Sequence, residues 1–151
     1  KTQVIGILIR RKFCSSLLAL FDQSLKKSVF FSRGHVWQAF SDIVDTHRNS
    51  ARDLGGVHLP AAIETINQLI NRRKEMADAL DVKFRSFICY ALNYKLLDVF
   101  IRCLLDDKVV MAKYFDKNAP LKKPKCKKKL LHLVKMFKKL PFSLSLDYEI
   151  F

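Results

Sequence analysis

The side chains that could carry chemistry are few and lie far apart along the chain. Four cysteines stand at positions 14, 89, 103 and 126, and four histidines at 35, 47, 58 and 132. No two cysteines form a C-x-x-C pair, and no local cysteine–histidine spacing suits a tetrahedral zinc site. The sequence has no Gly-rich phosphate loop, no G-x-S-x-G elbow and no H-E-x-x-H helix. His47 falls on the apolar face of a helical stripe, where packing or capping is a simpler role than proton transfer. Asp42 and Asp45 share that helix three residues apart, a spacing that usually marks a solvated helix edge. Cys89 and Cys103 lie on apolar stripes and read as small hydrophobes rather than reactive thiols. No catalytic residue, metal or cofactor is expected, which leaves binding as the function class.

Cationic charge is the other chemically distinctive feature, and it is unevenly placed. Residues 117–139 hold ten lysines and no acid, and so contribute +10 of the net +14. Lys122, Lys123, Lys125, Lys127, Lys128 and Lys129 are the densest part, a candidate contact for an anionic membrane surface or an acidic cytoskeletal protein. Nucleic acid ranks last, because no base-stacking aromatic interrupts the lysines of 117–136.

The elements that must position these groups are read from periodicity. Residues 3–27 place Ile5, Leu8 or Ile9, Phe13, Leu17, Leu20 or Phe21, and Leu25 along one helical stripe. Ser32, Arg33 and Gly34 break it. A second helix over 35–48 carries Val36, Trp37, Phe40, Ile43, Val44 and His47. Gly55-Gly56 is a loop, and Pro60 opens a helix through Ile63, Ile66, Met76 and Leu80, with a bend near Arg72-Arg73. Asp81 is placed as the N-cap of 82–92, and Asn93 as the cap of 94–105. Asp106-Asp107 starts a short helix ending near Phe115. A final helix over 125–139 stops before Pro141. The tail alternates Phe142, Leu144, Leu146, Tyr148 and Ile150, which predicts an extended segment packed across the helices. These elements make a single all-α domain, a bundle of about seven to eight amphipathic helices. Val4–Ile9 is too short for a signal peptide, and no apolar run reaches the length of a membrane span. A cytoplasmic protein with reduced thiols is the expectation, peripheral on vesicle or organelle membranes if it docks there.

Lys83–Leu121, KFRSFICYALNYKLLDVFIRCLLDDKVVMAKYFDKNAPL, resembles the central block of the RUN domain family. Lys83 and Arg85 match its basic pair, Ala91-Leu92-Asn93 its tripeptide, Tyr114-Phe115 its aromatic pair, and Ala119 its alanine. Phe87 stands where the family has tryptophan. The closing PFSLSLDYEI is also similar, and Trp37 fits the opening helices. Pro120 and the lysine cluster depart from the pattern. The resemblance implies an all-helical, non-enzymatic binding module. It would be an effector or adaptor for the GTP form of a Rab-, Rap- or Arf-like small GTPase, acting in vesicle or organelle transport. Kinesin or other cytoskeletal proteins are further partners that it implies. The partner-binding residues would be Lys83, Arg85 and Lys95. Lys83 and Arg85 are expected at the surface near a helix start, able to reach one acidic patch together. Replacing both with Glu is expected to leave the fold intact.

Overall fold

In the computed structural model the described residues are 2–27, 34–47, 58–71 and 79–149. The apolar stripes become eight α-helical segments: α1 (Thr2–Leu8), α2 (Cys14–Ser24), α3 (Val36–His47), α4 (His58–Ile70), α5 (Ala79–Asn93), α6 (Leu97–Asp106), α7 (Lys108–Tyr114) and α8 (Pro124–Met136). The expected breaks at Ser32-Arg33, Gly55-Gly56 and Arg72-Arg73, and the position of Met76, lie outside the described residues. None of the described helices is long and apolar enough to cross a membrane.

The all-α expectation is met, and α5 lies at the centre of the bundle. Val82, Phe84, Ser86, Phe87, Ile88, Cys89, Ala91 and Leu92 are all buried, so this helix is covered on nearly every side. A helix with that pattern belongs inside a core rather than on its edge. Phe87 stacks on Phe100 of α6 at 5.2 Å between ring centroids, and meets Phe40 at 4.9 Å and the edge of Trp37 at 5.6 Å. Phe87, Leu92 and Phe100 are buried as expected, whereas Tyr114 is only partly so. Its hydroxyl reaches the surface to donate to Asp42 at 3.0 Å. The Lys113 ammonium donates to the same carboxylate at 2.6 Å and holds it below the usual carboxylate range. Asp42 therefore ties α3 to α7 instead of lining a free helix edge.

Three local readings are corrected by the structure, and a fourth is borne out and sharpened. First, α1 and α2 are joined by a π-helical turn, Ile9–Phe13. Its extra residue shifts the stripe, so Ile5 and Leu8 are exposed while Ile9 and Arg10 turn inward. Second, Asp81 sits inside the first turn of α5, where its carboxylate hydrogen-bonds His35 Nε2 at 2.6 Å. The Trp37 backbone N–H donates to Nδ1 of that ring at 3.0 Å, which leaves Nε2 to donate to Asp81. Third, Asn93 is the last residue of α5 and does not cap α6. Fourth, the acidic start of α7 is more specific than a charge preference. Asp107 Oδ1 accepts from Val110 N–H, and Oδ2 bonds His47 Nε2 at 2.7 Å.

At the end of α5, Lys95 N–H donates to the Leu92 carbonyl and Leu96 N–H to that of Ala91, the two bonds of a Schellman cap. Lys95 occupies the position that glycine normally takes, at φ 58°. A Cβ there is unfavourable by roughly 1 kcal/mol, so Lys95→Gly is expected to stabilise the domain. Chemical denaturation should move the midpoint up with an unchanged m value; a lower midpoint would show that the lysine stem contributes more than its backbone costs.

Candidate functional site

Residues of the basic pair sit well inside α5, which begins at least four residues before Lys83. They are therefore about 200° apart around a regular helix and face different surroundings. Lys83 is half-buried and has no hydrogen bond or ion pair among the described residues. Burial pushes its ammonium below the ordinary lysine value. Arg85 instead faces the tail. Its Nε donates to both oxygens of Glu149, at 2.9 and 3.0 Å, and its Nη2 lies 2.8 Å from Oε1. Arg10, only 4 % exposed, brings Nη1 to the other oxygen at 2.6 Å and Nη2 to the Ser145 carbonyl at 2.6 Å. The Arg10 guanidinium also lies over the Tyr148 ring, 5.7 Å from its centroid.

This network explains the packed tail. Ser86 Oγ donates to the Leu146 carbonyl, and the Asn93 side-chain amide both donates to and accepts from the Leu144 backbone. Asn93 thus acts as a one-residue strand partner, while Leu144 is buried. Phe142 packs against Phe137, which in turn meets Phe13. The tail lies across the helices through residue 149; Ile150 and Phe151 lie outside the described residues. Because Arg85 holds part of this clasp, reversing its charge sets two carboxylates against each other. The expectation that the double Glu variant keeps an undisturbed fold therefore does not survive the structure at Arg85.

Lys95 is exposed but belongs to the far end of α5, about 18 Å from Lys83 along its axis. The three cations therefore do not form one cluster. On the visible stripe of α5, Lys83 is joined by Tyr90 and Tyr94, seven and eleven residues on. Their rings lie 4.6 Å apart, and Tyr94 is 62 % exposed. Burial, reinforced by charge repulsion from the Tyr94 phenolate, pushes the Tyr90 hydroxyl above its ordinary value. The signal for these tyrosines was present in their helical spacing from Lys83.

The lysine segment divides. The Lys122 ammonium donates to the Phe115 carbonyl at 3.0 Å from the end of the short 3-10 turn Pro120–Lys122. Lys123, Lys125 and Lys129 surround a cavity between α2 and α8; Lys127 is half-buried, and Lys128 faces solvent. Cys14 and Cys89 are fully buried, and desolvation pushes both thiols up, Cys89 to about 11. Among the described residues, no group of His, Cys, Asp or Glu could hold a metal ion.

Against models of protein families, residues 12–148 match the RUN domain. The chain belongs to the RUN domain family. RUN domains form a protein-interaction family, not an enzyme family, and are associated with small-GTPase binding. A comparison with curated proteins found no match. In this RUN domain the asparagine of the tripeptide and the arginine of the basic pair are both engaged by the C-terminal tail. The lysine of the pair and the two tyrosines are left at the surface.

Proposed function

We propose that this RUN domain is an adaptor that binds the GTP form of a Rab-, Rap- or Arf-like small GTPase and so recruits a transport complex to a vesicle or organelle membrane. One observation carries the reading: Lys83 is partly desolvated with no acidic partner among the described residues, on the same stripe as Tyr90 and exposed Tyr94. A cation beside amphipathic aromatics suits a surface of acids and apolar residues, because tyrosine and arginine or lysine contacts supply anchoring area and charge pairing together. Lys95, at the far end of α5 beside Val134 and Phe137, would make a separate and weaker contact. Arg85 supports this surface indirectly, by holding Glu149 and with it the tail.

Pull-downs against a panel of these GTPases in both nucleotide states test the reading, with Lys83→Glu and Tyr94→Ala as the variants. The parent should bind at least one GTP form at micromolar concentration, and each folded variant should bind it at least about tenfold more weakly. Failure of every GTP form to bind the parent would end the proposal. Lys83→Met adds a contrast. Because its folded pKa lies below the unfolded 10.5, Lys83 is charged less readily in the folded state, and keeping the charge there costs stability at neutral pH. The methionine variant should therefore melt higher while binding the GTPase less well. A lower melting temperature would show that the ammonium is compensated in the free domain.

A further inference from the structure

The basic segment has a feature that charge alone does not require. Between α2 and α8 lies a cavity of about 560 Å³, lined by Leu20, Cys126, Leu130 and Leu133 and bordered by Lys123, Lys125 and Lys129. That volume is within the roughly 300–1,000 Å³ typical of ligand sites. Leu130 and Val134 turn into the core, but Leu133 is 50 % exposed and Met136 54 % exposed. The apolar surface of α8 therefore continues past the core edge and onto the wall of this groove. Lysines at 125, 128 and 129 are three and four residues apart, so like charges repel along the helix. The three bordering lysines have no acidic partner among the described residues.

We propose that this groove is a peptide-docking site for an acidic segment bearing one leucine-sized anchor. The anchor enters between Leu20 and Leu133, and flanking Asp or Glu side chains meet Lys123, Lys125 and Lys129. The shape favours this occupant over a bilayer. A groove of this volume between two helices accepts a side chain, and its three bordering lysines supply partners for acids on either side of that anchor. The site is separate from the Lys83–Tyr94 stripe and does not depend on it.

The test is selection from a displayed peptide library with a fixed central leucine and all other positions random, followed by fluorescence anisotropy of the enriched sequences. The expected winners carry acids beside the leucine. Leu133→Asp or Lys125→Glu/Lys129→Glu should weaken them at least tenfold, and Lys83→Glu should leave them unchanged. Leu133 is exposed enough that its variant should keep the parent melting temperature, which is measured first. Bound peptide should also protect Cys126, which lines the groove, from alkylation. Absence of acidic enrichment overturns the proposal, as does equal affinity for a run of eight glutamates lacking the anchor. Leu133-dependent flotation with vesicles containing phosphatidylserine, without any enriched peptide, would assign the surface to membrane instead.

Discussion

Phe87→Ala is expected to destabilise the domain by about 3–5 kcal/mol, as truncating a fully buried aromatic generally does. The ring is closed in by Trp37, Phe40 and Phe100, and none of these can collapse into the space without giving up another contact. At roughly 2–4 °C per kcal/mol for a domain of this size, the melting temperature should fall by about 6–20 °C. Trp37 is the only tryptophan and touches the deleted ring, so its fluorescence reports both the cavity and the unfolding. Phe87→Trp is the informative companion, since the family pattern carries tryptophan there. With Trp37 and Phe40 already in contact, the larger ring should overpack the site and cost about 1–3 kcal/mol. An unchanged melting temperature for Phe87→Ala would mean that α5 presents a different face to the core.

Glu149→Ala should cost about 3 kcal/mol. It removes the acceptor shared by Arg85 and Arg10 and leaves two guanidiniums close together, one of them almost wholly buried. Removing one partner of a buried ion pair typically costs about 3–5 kcal/mol, and the partial exposure of Glu149 and Arg85 argues for the lower end. Glu149→Gln keeps a hydrogen-bond acceptor and should lose less. A triple change of Arg10, Arg85 and Glu149 to methionine should recover at least about half of the loss, because no charge is then stranded. Hydrogen exchange of residues 144–149 gives the local readout: Glu149→Ala should expose these amides before the rest of the domain opens. If they stay as protected as in the parent, the Asn93 and Leu144 contacts hold the tail without the arginines.

The two experiments probe different ranges of information in the chain. Helices α3, α5, α6 and α8, the Asp107 cap and the inward faces of Phe40, Phe87, Phe100, Leu130 and Val134 were legible from the sequence. Each depends on residues within one or two turns, where a 3.6-residue period and a capping side chain are visible directly. The match to the RUN pattern was legible on the same basis, through residues such as Ala91-Leu92-Asn93 whose spacing is local.

What the tertiary structure alone decided is which polar groups are spent holding the fold and which remain to meet a partner. Arg85 and Lys83 are two residues apart and chemically alike, yet Glu149, 64 positions from Arg85, removes one of them from the open surface. Arg10 reaches the same carboxylate across 139 positions, from a π-helical turn that no apolar period announces. Asn93 spends its amide on Leu144 instead of on the next helix. Pairings at such separations depend on how whole helices cross, and a one-dimensional period carries no record of that. The stripe of Lys83, Tyr90 and Tyr94 was present in the spacing, but its exposure follows from how the described helices cross.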